Sequence, residues 1–92
     1  MPITIEIPSS MRRFVDNERR VKLDRAATVR EALDLLVAKN PLLRPYLFTD
    51  SGELFSYIGL FVNRKDIRSL QMEKTPLYAG DNIALLPAVA GG

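Results

Sequence analysis

The stretch TVREALDLLVAKN, residues 28–40, carries both a start signal and a stop signal for an α-helix. Thr28 and Glu31 fit a capping box, in which the threonine hydroxyl accepts the amide of Glu31 and the glutamate reaches back to the start of the helix. Asn40 and Pro41 end the helix. Apolar residues recur at the spacing of one helix face, so that face must be buried. These residues are Val29, Ala32, Leu33, Leu36 and Val37.

The residues before this helix predict two strands. Isoleucines alternate with polar residues from Ile3 to Ile7, which indicates a strand with one buried face, and Pro8 ends it. Residues 9–17 are interpreted as a turn region. Residues 19–23 predict a second strand, in which Val21 and Leu23 point inward.

The residues after the helix begin with an apolar segment, 42–50, which we interpret as an irregular flap or one short helical turn. Residues 55–62 predict the strongest strand. Ile58, Leu60 and Val62 share one face of this strand. The other face carries three aromatic residues: Phe55, Tyr57 and Phe61.

The last third of the chain predicts short elements and a final strand. Residues 63–66 form a turn, residues 67–70 a short edge strand, and residues 75–77 a brief helical turn. Residues 79–82 form a β-turn, and residues 83–86 form the last strand. The pattern predicts an α+β domain over residues 1–87, in which one main helix packs on one face of a mixed four- to five-stranded sheet. Residues 88–92 are expected to form a flexible tail.

The composition excludes several classes of function. The 92 residues include no cysteine and no histidine. A disulfide framework, a thiolate or imidazole metal site, a cysteine nucleophile and a histidine general base are therefore all excluded. We expect a protein that is not an enzyme, binds no cofactor and holds no metal. The remaining reactive group is the C-terminal carboxylate.

The charge and hydropathy patterns predict the cellular location of the protein and the class of partner that it binds. No apolar run approaches the ~20 residues of a membrane span, and no signal peptide is visible, so a cytoplasmic location without membrane contact is expected. The net charge is +2. Part of the basic excess lies in residues 11–25, which we interpret as a solvated hairpin or a contact with an acidic protein partner. Nucleic acid binding would need a larger excess with interleaved aromatic residues.

The C-terminal sequence Ala90–Gly91–Gly92 is the strongest functional signal. Glycines leave the last carboxyl group unhindered and allow the tail to enter a narrow slot in a partner. Pro87 is expected to end the last strand and to direct this tail. An exposed apolar patch would bind a partner, unless residues 42–48 cover it. The residues predicted to bind partners are Tyr57, Phe61, Leu86, Pro87 and Val89.

Three short motifs resemble the ThiS/MoaD family of ubiquitin-like sulfur carriers. They are Val62–Asn63 at the end of a strand, Gly80–Asp81 before the last strand, and Pro87 followed at a fixed distance by Gly91–Gly92. The length and the tail LLPAVAGG are most similar to the CysO-type carriers. Molybdopterin-synthase small subunits more often carry a second proline and a serine or threonine in this tail.

The resemblance implies a β-grasp, or ubiquitin-like, fold and a carrier mechanism. In this family an E1-like enzyme uses ATP to adenylate the terminal glycine, here Gly92, and a sulfur donor converts it to a thiocarboxylate. In CysO-type systems a cysteine synthase accepts this sulfur and a JAMM-type metalloprotease releases cysteine. The alternatives are a molybdopterin-synthase subunit, a carrier for another sulfur-containing metabolite, a ubiquitin-like modifier of lysines, and a plain interaction module.

Overall fold

The computed structural model describes the backbone of residues 1–87 and the side chains of residues 1–86. The strands are β1 (Ile3–Glu6), β2 (Arg20–Leu23), β3 (Ile58–Val62), β4 (Lys65–Asp66) and β5 (Asn82–Pro87). The helices are α1 (Val29–Lys39) and the short α2 (Arg44–Leu47). Single 3₁₀ turns span Ser9–Phe14, Pro41–Leu43, Ile67–Ser69 and Met72–Lys74.

The five strands form one mixed sheet in the order β2-β1-β5-β3-β4. The central pair, β1 and β5, is parallel, and every other neighbouring pair is antiparallel. This order confirms the predicted β-grasp architecture. It places the last strand of the chain in the middle of the sheet, between the first strand and the strongest one.

The core lies between one face of the sheet and α1. The five apolar residues predicted for the helix face are all buried. They pack with the inward residues of the sheet: Ile3, Ile5, Leu60, Val62, Ile83 and Leu85. The opposite face of the sheet carries no helix in the described part of the chain. This arrangement leaves that face available for a partner.

The predicted capping box at the start of α1 is present. The Thr28 hydroxyl accepts a hydrogen bond from the amide of Glu31 at 3.2 Å. The Glu31 carboxylate reaches one residue further than a standard capping box, because it accepts the amide of Ala27 at 3.1 Å. At the other end, the amide of Asn40 donates to the carbonyls of Leu36 and Val37. The helix therefore begins and ends where the sequence predicts.

Replacing Thr28 with alanine tests this cap. We expect Thr28→Ala to lower the free energy of unfolding by about 1 kcal/mol, because the Glu31 amide loses its partner at the helix start. Thr28→Ser is the matched control, since it keeps the hydroxyl group. Chemical denaturation of the three proteins measures the difference, and equal stability of the alanine and serine variants would contradict the role of the cap.

Two segments predicted as irregular contain helical turns. Within residues 9–17 the chain forms a 3₁₀ helix that buries Met11, and Val15 is buried directly after it. Residues 42–50 contain the predicted helical turn, α2. This segment is not a flap, because Leu43, Leu47 and Phe48 are buried in the core. The predicted β2 is confirmed, although Val21 is only half-buried.

The predicted strand over residues 55–62 is too long at its start. The amide of Ile58 donates to the carbonyl of Phe55 at 3.2 Å, which makes a turn at this point, and β3 begins at Ile58. The amide of Phe55 instead donates a hydrogen bond to the carbonyl of Leu47, and the Phe55 ring stacks on Tyr57. Alternating aromatic residues suggested a strand, but contacts with the α2 segment determine the conformation.

The predictions for residues 67–70 and 75–77 are wrong. Residues 67–70 were expected as an edge strand, but Ile67–Ser69 is a 3₁₀ turn, because Asp66 accepts the amide of Arg68 at 2.9 Å and caps it. The strand pairing ends before it, at β4. The helical turn expected at residues 75–77 lies earlier, at Met72–Lys74. Residues 75–77 are held extended by bonds to Ala27 and Val29.

Candidate functional site

The candidate site is the end of the sheet at which β5 finishes. β5 pairs with β1 on one side and with β3 on the other, and its last residue, Pro87, lies opposite Ile58. The predicted reactive and partner-binding residues of the tail come after Pro87 in the sequence. Val89, Gly91 and Gly92 lie outside the described residues. The structure therefore fixes where the tail starts.

The two motifs before the tail contact each other at the opposite end of β5. Asn63 donates through its side-chain amide to the Asp81 carboxylate at 3.0 Å, and its side-chain oxygen accepts the amide of Asn82 at 3.0 Å. Asp81 also accepts the amide of Tyr78 at 2.8 Å, and Gly80 supplies the positive φ of 86° that this turn requires. The motifs thus join β3 to β5, which confirms Gly80–Asp81 as turn chemistry.

Phe61 and Leu86 lie side by side on the open face of the sheet. Gly59 lies opposite Leu86 in the register of β3 and β5. A Cβ atom placed on Gly59 would lie 3.6 Å from the Phe61 ring and 3.7 Å from the Leu86 Cβ. Because Gly59 has no side chain, the Phe61 ring and Leu86 can both lie close to the backbone at this position. Leu86 is 50% exposed at this point.

Tyr57 and Leu86 line a groove of about 670 Å³ beside the end of β5. Tyr57 is 52% exposed and stacks on Phe55 at a centroid distance of 4.9 Å. The other wall of the groove includes Ile67 and the exposed Met72. The alternative in which residues 42–48 cover this patch is wrong, because Tyr57 and Leu86 are exposed while Leu43, Leu47 and Phe48 are buried in the core. Tyr57, Phe61 and Leu86 thus form an apolar patch next to the start of the tail.

A charged pair stands on the rim of this groove. Arg68 donates to both carboxylate oxygens of Asp66, with a shortest distance of 2.7 Å. These hydrogen bonds from the Arg68 side chain hold the pKa of Asp66 below its usual range, and the same contact raises the pKa of Arg68. Both groups stay ionised at neutral pH, so the rim is polar but locally neutral.

The basic run in residues 11–25 is partly engaged in structural contacts. Arg12 donates to the carbonyl of Ile7 at 3.0 Å, and Arg13 stacks over the Phe14 ring at 4.8 Å. Arg20 and Lys22 are exposed on β2, an edge strand of the sheet. They lie opposite Glu6 and Thr4 in the strand register. The free basic charge therefore lines one edge of the open face.

Two features of the site were not anticipated from the sequence. The role of Gly59 beside Leu86 depends on the register of β3 and β5, although an isolated glycine within a strand pattern is a known sign of close backbone approach. The contact between Asn63 and Asp81 joins residues that are far apart in the sequence. Their positions at strand ends were visible, but their pairing was not.

The described residues contain no cluster of three or more carboxylates that could hold a metal ion. Within residues 1–87, no helix is long and apolar enough to cross a membrane. The described part of the site consists of the end of the sheet and the apolar patch of Tyr57, Phe61 and Leu86, and the chain continues from it beyond Pro87.

Comparison with known proteins agrees with this geometry. The chain matches the ThiS family over residues 5–92. It is 42% identical over 73 residues to small archaeal modifier protein 1 of Haloferax volcanii, covering 79% of each chain. It is 29% identical over 94 residues to the sulfur carrier protein CysO of Mycobacterium tuberculosis, covering 100% of each. The fold matches CysO in the Amycolatopsis orientalis BexX/CysO complex, with a TM-score of 0.87, 30% identity and coverage of 98% and 99%.

The matched region includes every motif discussed above and runs through the terminal glycines. These relatives are named as sulfur carriers and protein modifiers, and they share the ubiquitin-like sheet and helix. The chain therefore belongs to the ThiS family of small ubiquitin-like carrier and modifier proteins.

Proposed function

We propose that this protein is a sulfur carrier whose Gly92 carboxyl group is adenylated by an E1-like enzyme at the expense of ATP, and then converted to a thiocarboxylate. The observation that supports this most directly is the family match through Gly92, combined with the rigid central strand that ends five residues before it. Extended, five residues reach roughly 17 Å, which is enough to enter the substrate channel of an enzyme.

The chemistry explains why a carrier of this kind needs no catalytic residues. A carboxylate is a poor electrophile, and adenylation gives its carbon a good leaving group. Hydrosulfide then attacks the acyl carbon, which forms the carbon–sulfur bond and releases AMP. The resulting thiocarboxylate is ionised at neutral pH and nucleophilic, and its attachment to a protein prevents loss by diffusion. The enzymes that bind the carrier supply every catalytic group.

We propose cysteine biosynthesis as the destination of the sulfur. The full-length similarity to the CysO carriers supports this assignment. A cysteine-synthase-like enzyme would then be the acceptor partner, and a JAMM-type metalloprotease would release the product from the carrier. The BexX/CysO structure records a relative of this chain bound to a partner protein, which supports recognition of the folded domain as well as of the tail.

A protein modifier is the second candidate, because the chain is 42% identical to a small archaeal modifier protein. In that reaction the same adenylate would pass to a lysine of a target protein and form an isopeptide bond. Activation is shared by both functions. The product therefore distinguishes them: a thiocarboxylate identifies a carrier and a conjugate identifies a modifier.

We propose that the patch of Tyr57, Phe61 and Leu86 binds the activating enzyme, together with Pro87 and Val89. The patch lies beside the start of the tail and is open to solvent. A partner that covers it would place the tail at its active site with few remaining degrees of freedom. The exposed Arg20 and Lys22 would add electrostatic steering toward an acidic partner surface.

Substitution within the patch tests this docking role. We expect Leu86→Ser to raise the KM of the activating enzyme for the carrier by about tenfold, since a buried apolar anchor at an interface is worth on the order of 1–2 kcal/mol. Leu42→Ser is the matched control, because Leu42 is 73% exposed and lies outside the patch. Steady-state kinetics measure both, and an unchanged KM for Leu86→Ser would remove Leu86 from the interface.

ATP–pyrophosphate exchange tests the proposed activation. An E1-like enzyme is incubated with labelled pyrophosphate, ATP and the full-length chain. We expect exchange only when the chain is present, because formation of the acyl-adenylate is reversible and releases pyrophosphate. Exchange that is independent of the chain, or absent with it, would contradict the proposed function.

A further inference from the structure

The ladder between β1 and β5 stops at the level of two prolines. The amide of Thr4 donates to the carbonyl of Asp81 at 3.0 Å, and the parallel register continues with Ile5 opposite Ile83 and Glu6 opposite Ala84. In a parallel pair, alternate residues of one strand face the other strand. On β1 these residues are Thr4, Glu6 and, next in the series, Pro8.

Pro8 cannot continue this ladder. The register places it beside Leu86, where an amide at position 8 would donate to the carbonyl of Leu85. Proline has no N–H group, so that bond is not made. The carbonyl of Pro8 is directed elsewhere, because it accepts the amide of Met11 at 2.9 Å. Pro87, the next residue of β5 that faces β1, also has no N–H group to donate.

The other neighbour of β5, β3, pairs with it up to its last residue. Gly59 lies opposite Leu86, and Ile58 lies opposite Pro87. Before Ile58 the chain turns away, since the amide of Ile58 donates to the carbonyl of Phe55 at 3.2 Å. The peptide between Leu85 and Leu86 is thus held through β3 alone. The pairing with β1 therefore ends at Ala84, whereas the pairing with β3 continues to Pro87.

We infer that Pro8 is a positioning residue for the activation of Gly92, a role that rests on the proposed function. By withholding one N–H group, Pro8 ends the β1–β5 ladder early, so the last two residues of β5 are held by β3 alone and can change direction at the cost of fewer hydrogen bonds. The tail can then follow the slot of the enzyme instead of the line of the sheet. Pro8 contacts no reacting atom and acts only by affecting the direction that the backbone takes at the end of β5.

The backbone of Pro8 makes this inference testable by a small substitution. Its φ of −66° and ψ of 153° are extended values that alanine also adopts. Pro8→Ala should therefore keep the local conformation and supply the missing amide to Leu85. If Pro8 served only to start the 3₁₀ turn, Pro8→Ala would give a different result. The substitution would then loosen this end of the sheet, and the amide of residue 8 would form no hydrogen bond with Leu85.

The experiment compares full-length wild type, Pro8→Ala and the control Pro45→Ala. Pro45 is an exposed proline in α2, so the control reproduces the change in unfolded-chain entropy away from the sheet. In Pro8→Ala we expect the new amide of residue 8 to be protected in hydrogen exchange, and the amide of Leu86 to gain protection. The kcat/KM of activation should fall by roughly two- to tenfold, the factor that one added hydrogen bond is worth.

The two readouts separate this inference from the proposed function. Protection at residue 8 with slower activation, and no slowing in Pro45→Ala, would support the positioning role. An unprotected amide at residue 8, or protection without slower activation, would overturn it. Absence of ATP–pyrophosphate exchange with the wild type would instead reject the proposed function. The hydrogen-exchange protection of residue 8 would still show whether Pro8 limits the β1–β5 ladder.

Discussion

Deletion of Gly92 is expected to abolish the ATP-dependent formation of the thiocarboxylate and to leave the melting temperature nearly unchanged. The activated atom is the carboxyl carbon of this residue, and the shortened chain would present its carboxylate one residue too early. The buried core of the described part of the chain lies within residues 3–85, so we expect the fold not to depend on Gly92. Retardation in a gel that contains an organomercurial, which binds thiocarboxylates, measures the product.

Gly91→Val is the companion variant because it keeps the length of the tail. A β-branched side chain narrows the accessible backbone conformations and would collide with a slot sized for glycine. We expect it to be nearly as damaging as the deletion. A retarded band from the protein that lacks Gly92 would place the sulfur elsewhere in the chain and would refute the assignment of this residue.

Leu33→Ala is expected to have the largest effect on stability. Leu33 is fully buried at the centre of the face by which α1 packs on the sheet. Truncation removes apolar contacts and leaves a cavity that the surrounding strands cannot fill, at a cost of roughly 2–5 kcal/mol. In a domain of this size such a loss approaches the whole free energy of unfolding. Thermal unfolding followed by circular dichroism measures the shift.

Leu35→Ala is the matched control on the same helix. Leu35 is 38% exposed and lies outside the core, so the same chemical change should lower stability far less. The loss in Leu33→Ala should also exceed the loss from removing the Thr28 cap. If Leu35→Ala or Thr28→Ala were the more damaging substitution, the face by which the helix packs would be assigned incorrectly.

The fold was predictable where local chemistry and burial agree. The capping box at Thr28 and the apolar periodicity up to Val37 identified α1 with its correct ends, and the alternation from Ile3 to Ile7 identified β1. In each case the pattern that fixes the local conformation also defines the buried face. The strand order was not visible in these patterns and came from the resemblance to a known family.

The predictions failed where a distant or side-chain contact determines the local conformation. Residues 67–70 have strand-like apolar residues, but the Asp66 side chain caps a 3₁₀ turn there. Phe55 and Tyr57 alternate as in a strand, but the bond from Phe55 to Leu47 draws this segment toward α2. Neither contact depends on the spacing of apolar residues, so periodicity cannot reveal it.

The candidate site was predictable in its residues and less so in its geometry. Tyr57, Phe61 and Leu86 were expected to form an exposed patch; Tyr57 and Leu86 are exposed and Phe61 is half-buried, and their role in binding a partner stays a prediction. The contribution of Gly59 and the end of the ladder at Pro8 required the register of three strands. The predicted roles of Val89, Gly91 and Gly92 stay predictions, since these residues lie beyond Pro87.

The intact mass of the full-length protein, after incubation with its E1-like enzyme, ATP and a sulfide source, tests the sulfur-carrier assignment most directly. The account predicts a protein heavier by one sulfur-for-oxygen exchange, with the change confined to the C-terminal peptide and dependent on ATP. An unchanged mass, or a change located away from that peptide, would contradict it.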